Sequence, residues 1–551
     1  MQFLQSSNLN DYDQHLHKRP MKKFLLGIDI GTYSSKAVLT DFSGQILRTA
    51  IIAHGISTPK LGHVEHDALG VWWHDLKHLC SEIFDSPKYT SEEVSCVAIS
   101  AIGPCLLPMD TAGNPLRPGI LYGVDVRASQ EVDELNAEFG CEYIFSHSRM
   151  ALSSQAIGPK IRWLQKNEPH VWANTDSIGT ATSFLIRGLT GVNCIDHHTA
   201  SHYMPLYNPQ SASWDMSCAE KLDVATKLPI LGWSDQIAGH ITQEAALSTG
   251  LRAGTPVTFG AVDALSEAVS AGVTEPGDLM IMYGSTTFFV LVQNRPTPSD
   301  CLWSTAGAHA GQFNLAAGMS TTGSITRWFK DQLARDLSAP SGYEELFSSV
   351  GKIPPGSGGL LVLPYFSGER TPINDPHARG VIAGLDLTHT REHLFKAALE
   401  GIGFGVRHNL ETFKAIGAKV KRIVAVGGGA QSNIWPQIIS DISGCSQSIP
   451  EITVGASYGN AFLAGCASGM LKRSDIRNWV RLDRVIEQSV DLKPQYDALY
   501  AVYLKLYQNT REINYDLASI SSNFPITSMN STNTKTQETH KPPAHLSFNV
   551  F

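Results

Sequence analysis

The chain has 551 residues, of which 42% are hydrophobic and 17% charged, so it can bury a large core and is expected to divide into two or more domains. The formal net charge is −8 with histidine neutral, and no long basic run occurs, which argues against nucleic acid or an anionic membrane as a partner and favours a small molecule. The 9 cysteines form no Cys-x-x-Cys pair, and no apolar run approaches a membrane span, so the sequence indicates a reducing, cytoplasmic setting without a disulfide framework or a structural zinc site.

The two ends of the chain are predicted to be disordered tails. Residues 1–22 are polar and lack periodicity, and Met21 is an alternative start of the protein. The apolar residues that follow resemble the start of a signal peptide, but Asp29 interrupts them and no small-residue cleavage site comes after it. Residues 516–551 are again polar, and we expect the same behaviour there.

The sequence FLLGIDIGTYSSKAVLTDFSG predicts a hairpin with polar chemistry at its tip. Phe24–Ile30 reads as a buried strand, in which an ionised Asp29 is unfavourable unless it is paired or linked to a metal. Gly31 and Thr32 supply a tight turn with free N–H groups and a hydroxyl, and Lys36 begins a second strand. This combination suits phosphate and a divalent metal, although an ordinary solvated hairpin tip is the alternative.

Apolar runs then alternate with helical patterns, which indicates an α/β fold. VSCVAISAI is predicted to be a strand, EVDELNAEF and PKIRWLQKN to be helices, and TPVTFGAV to be a strand that leads into the helix ALSEAVSAG. Asp263 stands where this last strand meets its helix. A helix N-cap is one role that this position allows.

The segment DLMIMYGSTTFFV repeats the pattern of a strand, a hydroxyl-rich turn and a strand. This weak internal duplication suggests that the architecture restarts near Gly277. We therefore predict an N-terminal α/β domain over residues 23–276 and a C-terminal α/β domain over residues 277–515.

Three turns have the composition of phosphate-binding sites. The residues concerned are Asp29, Gly31, Thr32, Ser35 and Lys36 in the first, Gly284, Ser285 and Thr286 in the second, and Gly428, Gly429, Gln431 and Ser432 in the third. In the third turn the strand RIVAV enters a glycine run that opens a helix, so backbone amides would face an anion. A plain strand-to-helix connection is the alternative there. None of the turns fits the P-loop or the Rossmann glycine pattern.

The segment LPYFSGERTPINDPHARGVIAGL resembles the second signature of the FGGY family of carbohydrate kinases. The order of the other motifs agrees: DIGTYSSKAVLTD is similar to the family's first phosphate motif, GAVDALSEAVSAG to its catalytic-aspartate segment, YGSTTFFV to its second phosphate motif, and GGGAQSNIWPQIISD to its adenosine motif. The resemblance covers about residues 24–507 and is nearest to xylulokinase-like members. It implies two ribonuclease-H-like domains of the hexokinase, actin and Hsp70 type, with sugar bound mainly by the first, nucleotide mainly by the second, and an active-site cleft between them.

The resemblance also implies an activity, which is ATP-dependent phosphorylation of a small sugar or polyol hydroxyl. A ketopentose such as D-xylulose is the expected substrate, with ATP and Mg²⁺ as cofactors. Asp263 would be the general base and contact the substrate, and Asp29 would hold Mg²⁺ through water. The first two turns would cradle the phosphates and the third would line the nucleotide. A homodimer is compatible with this resemblance, since related kinases are commonly dimers.

The sugar contacts implied by the resemblance lie on two further segments. Gly103 and Pro104 would form a substrate-facing turn, and Asp125 with Arg127 matches the family's Asp-x-Arg that hydrogen-bonds sugar hydroxyls. A surface salt bridge is the alternative for that pair. Both segments depart from xylulokinases, since AIGP stands where Gln-Met-His is usual and YGVDVR where Trp-Asn-Asp-x-Arg is usual. The identity of the sugar therefore stays open.

Other readings remain open at this point. The substrate could be another polyol, ketose or aldonate, such as ribulose, glycerol, erythritol or gluconate, and the chain could be a non-catalytic ATP-binding sensor with the same fold. The cluster Asp196, His197, His198 and His202 has the residue types of a metal site, but adjacent histidine side chains diverge on a helix or a strand, which disfavours that interpretation.

Overall fold

The computed structural model describes residues 22–337, 342–451 and 454–523. Within these residues the strands, in chain order, are β1 Phe24–Ile30, β2 Ser34–Thr40, β3 Ile46–Ala53, β4 Glu65–His66, β5 Val94–Ala101, β6 Leu107–Met109, β7 Gly119–Ile120, β8 Ser177–Gly179, β9 Cys194–Asp196, β10 Tyr207–Asn208, β11 Ser213–Trp214, β12 Ile230–Gly232, β13 Ile237–His240, β14 Pro256–Thr258, β15 Ala261–Val262, β16 Asp278–Tyr283, β17 Thr287–Gln293, β18 Trp303–Ala306, β19 Phe313–Met319, β20 Leu361–Leu363, β21 Val381–Ala383, β22 Arg422–Val426, β23 Gln447–Pro450 and β24 Leu482–Ile486.

The α-helices of the same residues, in chain order, are α1 His74–Ile83, α2 Ser129–Phe139, α3 Cys141–Ser148, α4 Ile157–Asn167, α5 Pro169–Asn174, α6 Ala181–Thr190, α7 His197–Ala200, α8 Met216–Lys221, α9 Gln243–Thr249, α10 Asp263–Ser270, α11 Gly323–Leu333, α12 Gly342–Val350, α13 Arg391–Ala415, α14 Ile434–Ser443, α15 Ala456–Ala467, α16 Ile476–Trp479 and α17 Lys493–Asn523. A π-helical segment, Ala68–Trp73, precedes α1. Across the described part of the chain, no helix combines the length and the apolar character that a bilayer crossing requires.

The first large sheet has seven strands in the order β13-β14-β5-β1-β2-β3, with β15 beside β5. Strand β1 pairs antiparallel with β2 and parallel with β5. All of its residues are buried, as expected for a strand that is covered on both faces. The predicted hairpin is confirmed, except that its second strand begins at Ser34 rather than at Lys36.

The second large sheet also has seven strands, in the order β18-β19-β17-β16-β22-β23-β24. Its hairpin β16–β17 lies beside the parallel strand β22, which reproduces the arrangement of β1–β2 beside β5. The duplication that the two hydroxyl-rich turns suggested is therefore present in the sheets. Each half places one such turn at the end of its leading strand.

Helix α10 packs between the two sheets. Leu265 and Val269 on one side join the cluster that covers β1 and β5, whereas Ala268 and Ala271 on the other side pack on β16, β17 and β22. Helix α15 packs on α10 and on the first sheet at very short range. A Cβ atom on Gly27 of β1 would lie 1.9 Å from the carbonyl oxygen of Ser457, so only glycine fits there.

Two boundaries differ from the sequence prediction. Helix α15 belongs to the predicted C-terminal domain, yet its apolar face packs on the first sheet, so a division at Gly277 separates the sheets but not the cores. Helix α17 continues to Asn523, into the predicted tail 516–551, because the Ala and Leu residues at its end favour helix despite the polar composition around them. Of the predicted tail 1–22 only Lys22 is described, and its ammonium donates to the carbonyl of Val94. Residues 1–21 and 524–551 lie outside the described residues.

Candidate active site

Asp29 lies near the end of β1, opposite Lys36 on β2 and Ser100 on β5. Ser100 Oγ donates to Asp29 Oδ1 at 2.7 Å, and Oδ2 points toward the Gly31 turn, 3.8 Å from the position that a Cβ would take there. Burial raises the pKa of Asp29, and the Ser100 hydrogen bond and the charge of Lys36 oppose that rise. The chain therefore holds one carboxylate oxygen and directs the other to the hairpin turn.

A chain of hydrogen bonds ties Asp29 to the helices behind it. Asn460 of α15 donates through Nδ2 to Ser100 Oγ at 2.7 Å and to the carbonyl oxygen of Ile28 at 2.7 Å. The Oδ1 atom of Asn460 accepts from Ser266 Oγ of α10 at 2.7 Å. Asp29 is thus connected through buried side chains to the helix that begins with Asp263.

Asp263 is the first residue of α10, and Val262 occupies the N-cap position. The N-cap alternative for Asp263 is therefore wrong, although its Oδ1 accepts from the N–H of Ala264 at 2.7 Å. Burial raises the pKa of Asp263 above the ordinary aspartate range, and the neighbouring Asp29 and Glu267 raise it further, with Asp29 the stronger of the two. A carboxylate with a raised pKa is a stronger base than a free aspartate.

Glu267 lies one helical turn after Asp263 and was missed in the sequence. Burial and the charge of Asp29 raise its pKa to about 7. Its Oε2 lies 3.1 Å from the position that a Cβ would take on Gly455, directly before α15. The spacing of four residues puts Glu267 and Asp263 on one face of α10. This spacing could have identified Glu267 from the sequence as a second acid beside Asp263.

The second hydroxyl-rich turn is held from behind by the start of α11. The carbonyl oxygens of Gly284 and Ser285 accept from the N–H groups of Gly323 and Thr322, both at 3.0 Å. Ser285 and Thr286 are exposed at the tip. The turn therefore presents two hydroxyls on a backbone that is fixed by its neighbours.

The glycine run after β22 differs in detail from the prediction. A short 3₁₀ segment, Gly428–Gln431, follows the strand, and α14 begins only at Ile434. The hydroxyl oxygen of Ser432 accepts from the N–H of Ile434 at 3.2 Å, so Ser432 helps to begin that helix. A Cβ on Gly429 would lie 2.7 Å from the ring of Trp435, which explains the glycine by close packing. Gly428 and Gln431 are exposed.

The predicted substrate-facing turn lies beside the residue that precedes Asp263. A Cβ on Gly103 would be 3.0 Å from Val262 Cγ2. Burial raises the pKa of the nearby Tyr122 phenol, and a hydrogen bond with Thr32 lowers it. The charge of Asp263 raises that pKa as well, and the charge of Arg370 lowers it. The phenol thus lies among the first turn, the candidate base and an arginine of the second half of the chain.

Residues 24–270 match the family model for the N-terminal domain of FGGY carbohydrate kinases, and residues 279–468 match the model for the C-terminal domain. The chain belongs to the FGGY family of carbohydrate kinases. The resemblance inferred from the motif order is confirmed.

Named relatives agree with this membership. The chain is 25% identical over 506 residues to the xylulose kinase of Staphylococcus epidermidis, covering 91% of this chain and 100% of that protein. It is 28% identical over 488 residues to the glycerol kinase of Alkaliphilus oremlandii, covering 86% and 94%. The crystal structure of xylulose kinase from Rhodospirillum rubrum has a TM-score of 0.82 and 26% identity, covering 90% of this chain and 100% of that one. The chain is a carbohydrate kinase of xylulokinase-like type with the two-domain actin- and hexokinase-like fold.

Within this FGGY kinase, the structure places the Ser35 side chain away from the predicted phosphate site. Its side chain is fully buried and its hydroxyl donates to Asp75 Oδ2 at 2.7 Å. Neighbouring residues on a strand point to opposite faces of the sheet, so Ser35 faces away from the side on which Lys36 lies. Thr32 stays in the turn, as predicted.

The structure places the predicted sugar contacts Asp125 and Arg127 in a buried ion pair. Arg127 donates through Nε and Nη2 to Asp125 at 2.7 to 3.0 Å, and Asp125 Oδ2 also accepts from the N–H of Val64. Arg127 bonds Glu65 as well, at 2.8 Å, and both members of the pair are at most 1% exposed. The alternative was a surface salt bridge. The two residues do form an ion pair, but it is buried rather than at the surface.

The histidine-rich segment 196–202 has structural roles. Asp196 accepts from the N–H of Thr199 at 3.0 Å and so caps α7. His198 Nδ1 lies 2.8 Å from the carbonyl oxygen of Ala306 and thereby joins the two halves of the chain. Among the residues that the structure describes, no group of three or more His, Cys, Asp or Glu residues is arranged to hold a metal ion.

Proposed function

We propose that this kinase transfers the γ-phosphoryl group of ATP to a hydroxyl of a ketopentose such as D-xylulose, with Asp263 as the general base. The observation that carries the proposal is the position of Asp263 at the first residue of α10, where burial and Asp29 raise its pKa. The xylulose kinases among the relatives support the ketopentose. A glycerol kinase at 28% identity keeps a polyol as the second candidate substrate.

Asp263 would accept the proton of the attacking sugar hydroxyl. A positioned base of this kind contributes roughly 10² to 10⁴ in rate. To do so it must be ionised and within reach of the hydroxyl. The raised pKa increases its basicity, and the hydrogen bond from Ala264 fixes one of its oxygens. The turn at Gly103 and Pro104 lies beside Val262, where it would shape the substrate side.

The chain would bind the phosphates at the two hydroxyl-rich turns. Thr32 and Lys36 would do so in the first, and Ser285 and Thr286 in the second, because phosphoryl transfer depends mainly on positioning and on neutralising charge. The glycine run would line the nucleotide through Gly428, Gly429, Gln431 and Ser432. The exposed tips of the second turn and of the glycine run leave room for these contacts.

The residues present fit Mg²⁺. Magnesium prefers oxygen ligands, keeps several waters, and is commonly bound by one or two carboxylates together with substrate phosphates. Asp29 offers one such carboxylate, with Oδ1 held by Ser100 and Oδ2 directed to the turn. Bound Mg²⁺ would supply charge neutralisation at the phosphates.

An ADP-release assay with Mg-ATP tests the proposal across xylulose, ribulose, glycerol, gluconate, erythritol and ribitol. We expect xylulose to give the highest kcat/KM and Asp263→Asn to abolish turnover while leaving ATP binding intact. Glu244→Gln is the matched control, since Glu244 is an exposed acid in the first turn of α9. Substantial turnover in Asp263→Asn would rule out the base, and a preference for glycerol would replace the ketopentose with a polyol.

A further inference from the structure

A buried polar cluster lies directly behind the first hydroxyl-rich turn. His54 follows β3, and its backbone N–H donates to the carbonyl oxygen of Tyr33 at 3.0 Å. Its side chain is 7% exposed and that of Asp75, on α1, is 3% exposed. The turn is therefore braced from β3 and α1, neither of which the proposed mechanism uses.

The His54 ring contacts an oxygen acceptor at each of its two nitrogens. Nδ1 lies 2.8 Å from Asp75 Oδ2, and Nε2 lies 3.0 Å from the carbonyl oxygen of Gly31. A carboxylate and a carbonyl oxygen can only accept, so both ring nitrogens must donate if both bonds form. The ring thus links the Asp75 carboxylate to the Gly31 carbonyl.

A second histidine in the cluster is neutral. The Trp72 indole N–H donates to His66 Nδ1 at 3.0 Å, which leaves that nitrogen without a proton of its own. The rings of His54 and His66 meet edge to face with centroids 5.3 Å apart. Burial first, and then the charge of His54, lower the pKa of His66 to about 4. The two histidines thus have different partners: His54 lies at the Gly31 carbonyl, whereas His66 accepts from Trp72.

Asp75 is the common hydrogen-bond partner of the side chains that support the turn. Besides His54 it accepts from Ser35 Oγ at 2.7 Å, so one carboxylate oxygen bonds a residue of β2 and the residue that follows β3. The Gly31 N–H closes the turn on the carbonyl oxygen of Ser34 at 3.1 Å. A displacement of His54 or Asp75 would therefore move Gly31 and the neighbouring Thr32 together.

We propose that His54 and Asp75 are positioning residues for phosphate binding, which hold the Gly31–Ser34 turn in place. The inference rests on the proposed function in one respect, that the turn binds the phosphates of ATP. His54 does not contact the ligand itself; it acts through the Gly31 carbonyl.

The test compares two replacements of His54 that each keep one of its donors. The amide of His54→Gln can take the place of Nε2 at the Gly31 carbonyl, whereas the shorter amide of His54→Asn can take the place of Nδ1 at Asp75. Calorimetric titration with Mg-ATP should show a loss of affinity of about tenfold in His54→Asn, the size of one hydrogen bond to a charged group, and a smaller loss in His54→Gln. The KM for the sugar should not change.

His78→Asn is the matched control, because His78 is 50% exposed on α1 and outside the cluster. Equal ATP affinities in His54→Asn and wild type, or equal losses in the two His54 variants, would overturn the inference. If His54→Asn does not fold, Asp75→Asn serves instead, and an unchanged affinity there has the same meaning. A wild-type protein that binds no ATP would overturn the proposed function itself, which is a separate outcome.

Discussion

Gly459→Ala tests how closely α15 must approach the helix that begins with Asp263. On helix propensity alone the change should stabilise α15 by about 1 kcal/mol. In the structure, however, a Cβ on Gly459 would lie 2.0 Å from the carbonyl oxygen of Ser266 and 2.9 Å from the backbone nitrogen of Ser270. Carbon–oxygen contacts in proteins begin at about 3.3 Å, so the two helices must separate by about 1.3 Å.

The expected free energy of unfolding is therefore lower despite the better propensity. Overpacking costs about 1 to 3 kcal/mol, and a backbone–backbone clash that no rotamer relieves belongs at the upper end. After subtraction of the propensity gain, we expect a net loss of about 2 kcal/mol. The separation would also shift Asp263, and misplacement by about 1 Å can lower kcat by roughly a hundredfold.

Gly465→Ala, in the same helix, is the control. Its Cβ would meet the end of a flexible side chain, Leu471 Cδ1 at 2.4 Å, rather than backbone. Thermal unfolding and steady-state kinetics should separate the two variants, with Gly459→Ala melting lower and turning over more slowly. A Gly459→Ala protein as stable and as active as Gly465→Ala would refute the close approach of α15 and α10.

Four further predictions concern the buried charges and the exposed turn. Asp125→Ala leaves the Arg127 guanidinium without its main partner inside the protein, so we expect about 3 kcal/mol of destabilisation in urea unfolding with little change in the KM for sugar; a large rise in that KM with normal stability would restore the predicted sugar contact. Because the pKa of Asp263 is raised, kcat/KM should increase with pH through a range above the ordinary aspartate value of about 3.9, and a flat profile across neutral pH would contradict this. The same shift means that the folded state binds the proton more tightly than the unfolded state, so stability falls as pH rises through that interval, and Asp263→Asn should melt higher than wild type at neutral pH but not at acid pH. Ser285→Ala should raise the KM for ATP by about tenfold, the size of one hydrogen bond to a charged phosphate, and an unchanged KM would remove the second turn from the phosphate site.

Local patterns predicted much of the architecture. The strand Phe24–Ile30, the hairpin at Asp29 and the junction at Asp263 all follow from short stretches in which an apolar period ends at a polar residue. Their agreement with the structure reflects the fact that hydrophobic period and turn chemistry act over neighbouring residues. Motif order then connected these stretches to one family, which no single turn could do.

Long-range contacts explain what the sequence could not supply. Asp125 and Arg127 are two residues apart and match a ligand-binding motif, but their burial depends on Glu65 and Val64, more than fifty residues earlier in the chain. The orientation of Ser35 could have been predicted from the sequence, since the side chains of neighbouring strand residues such as Ser35 and Lys36 point to opposite faces of the sheet. Its partner Asp75 is on a helix whose docking has no local signal.

Because α15 covers the first sheet, part of that sheet stays uncovered during most of the synthesis of the protein. Leu25 and Cys96 emerge from the ribosome early, whereas Phe462 and Trp479, which bury them, are added near the end of synthesis. Until then a nascent chain presents an uncovered apolar face of the first sheet, the kind of surface that associates with other chains. The first half is therefore expected to need protection by a chaperone until almost the whole polypeptide is available, and cutting the gene between the two sheets should yield an insoluble first fragment rather than an autonomous domain.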